Sequence, residues 1–375
     1  MARKRGRMKR LGFFSKAVLS ANMLAAVALL FSYLASIINP QTFWPIAFLG
    51  IAYLPLLVIN GLFLVYWLVR RIRFAGISLL AILLGWNTLQ KHYGFNAKVP
   101  ENAMASPDTA HIRVLTYNVH FFRAFEQKDT KLTIRKQAMQ VMDDISPDVI
   151  CIQEYYTRQK GKYNMAKEFE REINMPYHHI SPTAANDYEA YGIAIFSRYP
   201  IVESGVLPEH QHGVNRIIYA DIDKGGRVFR VYNVHLRSFG FQQEDYDFIN
   251  SPSKTIEKDA ASTKRIGARL KHAFTARSAQ AGALREHSQA CNLPYLIAGD
   301  FNDTPLSYAV NEVSSGLRNA FREKGRGWGV TYNGDFPNFQ IDYILTSKAF
   351  EVKHYQIVKA KLSDHYPVWA DVQLD

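Results

Sequence analysis

The first hundred residues contain no aspartate or glutamate, although the chain of 375 residues has 33 acidic residues in all. Twelve of the 45 lysines and arginines fall in this acid-free stretch, so the remainder carries 33 basic and 33 acidic residues. The formal net charge of +12 therefore belongs to the first hundred residues. A large phosphate-backbone footprint on the neutral remainder is disfavoured, although a local basic patch is compatible with these counts.

Cysteine is also scarce. The two cysteines, Cys151 and Cys291, exclude a disulfide framework and leave open only a single bridge. Cys151 lies in the apolar run DVICIQ, which indicates a small buried side chain. Cysteine usage therefore does not define the redox compartment.

Two long apolar stretches fill most of the acid-free region, at residues 11–38 and 43–69. Each exceeds the roughly 20 apolar residues needed to span a bilayer. A third run, from residue 74 to about residue 89, is shorter. A cleaved signal peptide is disfavoured because the first stretch is too long and a second one follows. Residues 1–92 are therefore predicted to form a membrane anchor with two or three transmembrane helices in the lipid bilayer.

Positive charge marks the cytoplasmic side of a membrane protein. The basic N-terminus and the block Arg70, Arg71 and Arg73 should then share that side. If the third run also spans, the rest of the chain is periplasmic; if it lies flat on the membrane, the rest is cytoplasmic. The first arrangement is favoured, which predicts a bacterial inner-membrane protein with an extracytoplasmic domain. Residues 93–110 are small and polar with two prolines, and indicate a linker.

From residue 111 onward, β-type runs alternate with helical patterns. Strands are predicted to end near Asn118, at Glu154 and at His235, and another to run into Asp300. Further strands are predicted for IDYILTS, FEVKHYQIV and YPVWADV, the last directly after Asp364 and His365. Helices are predicted over 130–145 and from about 264 to 289, with a polar insertion over 238–263.

Apolar strands with polar ends imply two sheets packed face to face, with helices outside and the polar ends on one rim. The predicted fold for residues 111–375 is an α/β (α+β) four-layer sandwich of two mostly antiparallel sheets, preceded by the helical transmembrane segment. The rim groups are predicted to be Asn118, Glu154, Asn233, His235, Asp300, Asn302, Asp342, Asp364 and His365.

The rim set is rich in carboxylate and amide oxygens, which favour Mg²⁺ or Mn²⁺ over zinc. A hard cation with neutral amide donors suits a phosphate centre. His365 supplies a candidate base or phosphate contact, and His235 a proton donor. Taken singly, Asn118 and Asn233 could be strand-end turn residues, and Asp300 with Asn302 could form an Asx-turn.

Six segments in order carry a resemblance to a known family: TYNVH, DVICIQE, VYNVHLRS, IAGDFND, QIDYIL and SDHYPV. Over about residues 111–375 the chain is similar to the endonuclease/exonuclease/phosphatase superfamily. That superfamily includes deoxyribonuclease I, abasic-site endonucleases, neutral sphingomyelinases and inositol polyphosphate 5-phosphatases. The resemblance implies hydrolysis by direct attack of water, without a covalent enzyme intermediate.

The resemblance implies a group of metal ligands in the site. Glu154 would be the principal metal ligand, Asn118 would lie on metal or phosphate, and Asp364 would be a further metal-side carboxylate. Asn233 is expected to contact the substrate.

It also implies a set of catalytic groups. Asp300 would orient or deprotonate the attacking water, and Asn302 would stabilise the oxygens of the pentacovalent phosphorus. His235 would contact phosphate or protonate the leaving group. Asp342 would hold His365 in the required tautomer.

VYNVHL places a histidine where abasic-site endonucleases carry a tyrosine, which favours the deoxyribonuclease, sphingomyelinase and phosphatase branches. The predicted function is a membrane-anchored, divalent-metal-dependent phosphoesterase that hydrolyses a phosphodiester, with a phospholipid or sphingolipid head group favoured. A membrane-tethered nuclease acting on nucleic acid is the main alternative, and a non-catalytic binding module the second. No protein partner is predicted. Aromatic residues in the 325–340 loop are expected to contact lipid, to stack on bases or to pack on one another: Trp328, Tyr332, Phe336 and Phe339.

Overall fold

The computed structural model describes residues 11–97, 111–122, 130–160, 163–208, 213–250, 256–334 and 338–374. The strands are β1 (Tyr93–Phe95), β2 (His111–Asn118), β3 (Val149–Arg158), β4 (Tyr177–Ala185), β5 (Glu189–Ser197), β6 (Ile201–Val206), β7 (Ile217–Lys224), β8 (Arg227–His235), β9 (Tyr295–Asp300), β10 (Arg318–Asn319), β11 (Arg326–Trp328), β12 (Asp342–Thr346), β13 (Phe350–Ile357) and β14 (Val368–Leu374). The helices are α1 (Phe13–Ser32), α2 (Pro40–Phe43), α3 (Ile46–Ile51), α4 (Tyr53–Arg70), α5 (Ile72–Leu84), α6 (Trp86–His92), α7 (Thr130–Ile145), α8 (Met165–Ile173), α9 (Gln243–Asn250), α10 (Ile256–Gln289), α11 (Tyr308–Ser314) and α12 (Ala320–Lys324).

Twelve of these strands form two six-stranded sheets. One has the order β13-β14-β2-β3-β5-β4 and the other the order β10-β12-β9-β8-β7-β6. Each sheet contains a single parallel pair, β2 with β3 and β8 with β9, and its other neighbours are antiparallel. The prediction of two mostly antiparallel sheets is confirmed.

Apolar side chains fill three layers of contact. Between the sheets, Val114 and Cys151 of one sheet join Val231 and Ile344 of the other in a single buried cluster. Outside the first sheet a second cluster contains side chains of α7 and α8, and outside the second sheet a third contains side chains of α10 and α11. Burial on both faces explains the nearly continuous apolar runs of the central strands. The predicted four-layer sandwich is confirmed, and Cys151 is a free, buried thiol.

Three predicted boundaries were wrong. The strand expected to end at Glu154 continues to Arg158, because a register shift between Ile152 and Tyr155 lets the pairing with β5 resume. The helix expected from about residue 264 begins at Ile256, and α9 fills part of the presumed insertion. The last strand begins at Val368 because Pro367, which has no backbone N–H, precedes it.

The N-terminal region contains two helices long and apolar enough to cross a membrane, Phe13–Ser36 and Tyr53–Arg70. The third apolar run forms α5 and α6, a pair bent by 61° that counts as one further candidate. The Tyr33 hydroxyl donates to the Ala81 carbonyl at 3.0 Å, so α5 runs back to the level at which the first helix ends. Buried side chains of the three helices are joined by hydrogen bonds, from Asn22 to Ser78 at 2.6 Å and from Ser78 to Asn60 at 3.2 Å. Such polar contacts join helices in lipid.

The connection between α1 and α4 packs on the sandwich. Ser278 of α10 donates to the Asn39 side chain at 2.6 Å, and the rings of Phe48 and Phe274 meet edge to face with centroids 5.5 Å apart. The segment predicted as a linker also contributes a strand, since β1 pairs with β11. The sandwich therefore lies at the end of the helices opposite Arg70 and Arg71.

Candidate active site

Strand register gathers three of the predicted groups at one edge of the second sheet. His235 lies opposite Asp300 across the parallel pair β8/β9, and Asp342 lies opposite Asp300 across the antiparallel pair β12/β9. Asn118 ends β2 of the other sheet and donates from Nδ2 to Asp300 Oδ2 at 3.1 Å. Both sheets thus meet at the Asp300 carboxylate. An adjacent cavity of about 310 Å³ is lined by six of the predicted residues: Asn118, Glu154, Asp300, Asn302, Asp364 and His365.

Asp300 is almost fully enclosed, with 1 % of its surface exposed. The backbone N–H of Asn302 donates to its Oδ1 at 2.8 Å, which is the Asx-turn that the sequence allows. Burial raises the pKa of Asp300 to about 6, aided by the nearby Asp342 charge and opposed by the two histidines. The carboxylate is therefore ionised at neutral pH and poised to accept a proton under mildly acidic conditions.

His365 and Asp342 form a buried ion pair. Nδ1 of His365 lies 2.9 Å from Asp342 Oδ2, and its Nε2 lies 3.7 Å from Asp300 Oδ2. Burial alone lowers the pKa of His365, but the carboxylates of Asp342 and Asp300 outweigh it and raise that pKa to about 10. At neutral pH the ring is thus an imidazolium. It is suited to contact a phosphate oxygen and unsuited to serve as a base.

His235 has the opposite character. Its Nδ1 lies 3.2 Å from the Val214 carbonyl, which can only accept, and its Nε2 lies 3.1 Å from Asn215 Nδ2. The same Asn215 amide donates to the Leu236 carbonyl at 2.9 Å, which fixes its orientation. These partners assign the proton to Nδ1 and make Nε2 an acceptor, and burial lowers the pKa of His235. The free protein therefore holds a neutral His235 without a proton on Nε2, so His235 can protonate a leaving group only after Nε2 gains a proton and gives up the Asn215 contact.

Glu154 occupies the bulge in β3, with φ 50°. Non-glycine residues in this region store backbone strain, and such residues cluster at functional sites. Burial raises the pKa of Glu154, the charge of His120 lowers it and the charge of Asp364 raises it again. The bulge thus positions the desolvated carboxylate of Glu154 near the carboxylate of Asp364.

Asp364 is paired with a residue that sequence reasoning missed, His120. The distance from His120 Nδ1 to Asp364 Oδ1 is 3.0 Å. Burial on its own raises the pKa of Asp364, but the His120 hydrogen bond and the His365 charge lower it to about 2. His120, Phe121 and Phe122 all have positive φ, a turn that no local sequence pattern announces. The histidine in TYNVH was the available signal.

The loop after β9 is bound by Arg277 of α10, a fully buried residue that sequence reasoning also missed. Its Nη1 donates to the Asn302 carbonyl at 2.6 Å, and its Nε lies 2.9 Å from Asp303 Oδ2. The Asn302 side-chain amide donates to the Leu236 carbonyl at 3.0 Å and to Asp300 Oδ2 at 3.1 Å. Asn302 therefore clamps Asp300 in the free protein, and its amide hydrogens are already engaged.

Asn233, predicted to contact substrate, lies behind the site with none of its surface exposed. Its Oδ1 accepts from Gln153 Nε2 at 2.6 Å, and its Nδ2 donates to the carbonyls of Ile152 at 3.0 Å and Ala194 at 2.7 Å. These bonds use its donors and join the two sheets. The prediction is corrected: Asn233 is placed as a structural bridge.

Two sets of side chains compete as a cation site. Ligand atoms of Asp300, Asp342 and His365 lie within 4.8 Å of one another. This set includes an imidazole nitrogen, whereas Mg²⁺ prefers oxygen ligands, and His365 Nδ1 is engaged by Asp342 Oδ2 at 2.9 Å. The oxygens of Glu154, Asp364 and Asn118 suit a hard divalent ion, and the mutual repulsion of the two carboxylates is what such an ion relieves. The second set fits a Mg²⁺-type ion better.

Apolar side chains line part of the cavity, and one of them comes from the N-terminal helical region. Ile51 of α3 lines it, together with Phe239 and Phe241 of the loop after β8. From the 325–340 loop, Tyr332 and Phe339 also line it. Trp328 instead packs on Tyr93, and Phe336 lies outside the described residues. A side chain from the N-terminal helical region thus lines the same cavity as Glu154 and Asp300.

Comparison with known proteins divides the chain between its N-terminal helices and the sandwich. Residues 115–365 match the sequence model of the endonuclease/exonuclease/phosphatase family. Residues 15–92 match a domain of unknown function. No curated protein matches the chain.

Solved structures with a similar fold include several family members. The endonuclease/exonuclease/phosphatase from Beutenbergia cavernae is 19 % identical, with 71 % of this chain and 72 % of that chain covered and a TM-score of 0.49. A family protein from Bacteroides thetaiotaomicron is 18 % identical, with 71 % and 98 % covered and a TM-score of 0.47. The human Nocturnin catalytic domain with bound sulfate is 16 % identical, with 71 % and 95 % covered and a TM-score of 0.46.

Proposed function

The chain belongs to the endonuclease/exonuclease/phosphatase family and is a hydrolase of phosphoric esters, and from this premise we propose a membrane-anchored, divalent-metal-dependent phosphodiesterase that acts on a phospholipid or sphingolipid head group. The observation that carries the lipid assignment is the position of Ile51. This residue belongs to the connection between the apolar helices α1 and α4, yet it lines the same cavity as Glu154 and Asp300.

An apolar wall beside a phosphate centre favours a substrate with an apolar part next to its phosphate. Ile51, Phe239 and Phe241 supply such a wall. A nucleic acid would place charged backbone and ribose against it, where burying polar groups without partners costs free energy. Tyr332 and Phe339 also suit base stacking, so nucleic acid is the alternative substrate.

The proposed chemistry assigns a role to each polar group. Asp300, ionised at neutral pH, orients the attacking water and accepts its proton, and Asn302 holds Asp300 in place. As the water oxygen bonds to phosphorus, the P–O bond to the leaving group breaks and the leaving oxygen takes a proton from solvent. The His365 imidazolium, fixed by Asp342, stabilises charge on the phosphate oxygens as the phosphorus becomes pentacovalent. We propose that His235, whose Nε2 lies 3.7 Å from Asp300 Oδ2, contacts the phosphate of the bound substrate.

Glu154, Asn118 and Asp364 would hold the cation, for which Mg²⁺ or Mn²⁺ has the matching preference for oxygen. When bound, the ion supplies charge neutralisation at the phosphate. The raised pKa of Glu154 and its proximity to a second carboxylate support this assignment.

The proposed location is the bacterial inner membrane, with the sandwich on the extracytoplasmic side. Arg70 ends α4 and Arg71 follows it, at the end away from the sandwich, and positive charge stays in the cytoplasm. The return of α5 to the level of Tyr33 supports a third crossing. Both features support a catalytic domain on the side of the membrane opposite the basic N-terminus.

The assignment is tested by Ile51→Ser in the full-length protein in detergent. We expect kcat/KM on a lipid phosphodiester to fall at least about tenfold, because a polar group replaces apolar contact of roughly 1–3 kcal/mol. Hydrolysis of bis(p-nitrophenyl) phosphate, which has no acyl chain, should stay within about twofold of wild type. Ile37→Ser is the matched control, since Ile37 is exposed in the same connection and does not line the cavity. An equal loss of kcat/KM on both substrates, or no loss on the lipid, would contradict the proposal that the apolar side chains of the cavity contact a lipid substrate.

A further inference from the structure

A second cavity, separate from the active site, lies where the anchor meets the sandwich. It has a volume of about 430 Å³ and is bounded by α6 with β1 on one side and by α11, β10 and α12 on the other. Its cationic side chains are Lys91, Arg318 and Arg322, and its one lining carboxylate is Glu323. Glu323 is occupied by Arg318, at 3.4 Å. The cavity therefore has an excess of positive charge.

Lys91 and Arg322 are held in place by neutral amides. The half-buried Lys91 ammonium donates to Asn311 Oδ1, and Arg322 Nη2 donates to Asn87 Oδ1 at 2.9 Å. Among the described residues no carboxylate lies within 4.0 Å of either cation, and the Arg322 charge repels that of Lys91. Two cations fixed side by side without a counter-charge form a site complementary to an anion.

Aromatic rings beside the cavity indicate its level relative to the bilayer. Trp86 stacks on Phe95 at 5.5 Å, and Tyr93 meets Trp328 edge to face at 5.2 Å. Trp86, Phe95 and Trp328 nevertheless stay 47–58 % exposed. Exposed aromatic residues at the end of an apolar helix are typical of the membrane–water interface, where lipid head groups lie.

We propose that this cavity binds the phosphate of an anionic lipid head group at the membrane surface. Lys91 and Arg322 contact the phosphate, and the rings of Tyr93 and Phe95 border the glycerol and upper acyl region. A lipid bound here bridges α6 to α11 and α12, and so fixes the sandwich against the bilayer. The inference needs the anchor to lie in a membrane but does not depend on which ester the active site hydrolyses.

The test uses full-length protein in neutral detergent and measures its Tm with dioleoyl phosphatidylglycerol, dioleoyl phosphatidylcholine or inorganic phosphate. We expect phosphatidylglycerol to raise the wild-type Tm by several degrees and phosphatidylcholine to leave it unchanged, because a ligand that binds the folded state stabilises it. The double variant K91Q/R322Q should lose at least half of that rise, and R322Q alone part of it. Arg322 is exposed, so this single change leaves folding intact.

The matched control is K167Q/R171Q, which removes the same charge from the exposed face of α8 and should keep the full rise. A rise retained in full by K91Q/R322Q would overturn the proposal, because the lipid would then act elsewhere, for example on the basic N-terminus. An equal rise with inorganic phosphate, lost in the double variant, would assign the site to soluble phosphate and overturn its lipid source. Since the readout is Tm, a protein inactive on every lipid ester still tests this site.

Discussion

The Nδ1 atom of His365 lies 2.9 Å from Oδ2 of Asp342, and this contact decides what the histidine can do. The ring is anchored on one nitrogen, which directs the other towards Asp300 and the cavity. With its pKa raised to about 10, His365 carries a positive charge where a phosphate oxygen is expected to bind.

The first prediction concerns alkaline pH. A group with a raised pKa is in its active, protonated form below that pKa, so activity should fall as pH rises towards 10. Asp342→Asn removes a carboxylate that stabilises the imidazolium, and the alkaline limb of kcat/KM should move at least one unit towards the ordinary value of about 6.5. The pair's contribution to folding, fully present below about pH 6.5, should likewise fade as pH rises through the folded value. An alkaline limb identical in D342N and wild type would contradict the pairing.

The second prediction separates catalysis from stability at two neighbouring acids. Asp300→Asn should lower kcat by about 10²–10⁴, as expected for loss of a general base. Its Tm should remain near wild type, because the variant buries an amide in place of a desolvated carboxylate.

Asp303→Asn is the contrast. It leaves the buried Arg277 guanidinium without its carboxylate partner, and breaking such a pair costs about 3–5 kcal/mol. Here Tm should drop markedly. Near wild-type turnover in D300N, measured on protein of normal Tm, would remove Asp300 from the mechanism.

The third prediction concerns the cation. Glu154→Gln keeps the shape of the side chain but removes its charge, so the Mg²⁺ concentration for half-maximal activity should rise at least about tenfold. Calorimetric titration with Mn²⁺ should show the same weakening without reference to activity. Glu170→Gln, on the exposed face of α8, is the control. Unchanged Mn²⁺ affinity in E154Q would shift the cation to the Asp300–Asp342–His365 set.

The fourth prediction follows from the bridge between the sheets. Asn233→Ala removes the bonds that Nδ2 donates to the carbonyls of Ile152 and Ala194 and the bond that Oδ1 accepts from Gln153, at roughly 1–3 kcal/mol for each group that stays unsatisfied. The Tm should fall by several degrees while KM of the folded fraction stays unchanged. A raised KM with an unchanged Tm would restore Asn233 as a substrate contact.

Local pattern predicted most of the rim. Asn118, His235 and Asp300 each end an apolar strand, and strand ends of packed sheets meet at an edge, so their gathering follows from the sequence. Asn233 shows the limit of this argument. Asn233 lies two residues before His235 and so on the same face of β8. Because it is further from the edge of the sheet than His235, its side chain lies between the two sheets.

Groups brought in by backbone irregularity or by distant segments could not be predicted. Glu154 depends on a bulge whose register is set by pairing with β5, and His120 on a turn with three positive φ angles. Ile51 reaches the cavity through the packing of α3 beside α10, about 225 positions away in the sequence. Periodicity describes one segment at a time, so it does not report such contacts.

The most direct test of the central claim is one hydrolysis assay on the purified full-length protein in detergent. It offers a phospholipid and sphingolipid panel and plasmid DNA side by side, with Mg²⁺ or with EDTA. The account predicts release of a phosphorylated head group from lipid in Mg²⁺, intact plasmid, and no reaction in EDTA. Nicked plasmid with intact lipids would contradict the lipid assignment and make the anchor a tether for a nuclease, and full lipid hydrolysis in EDTA would contradict the metal.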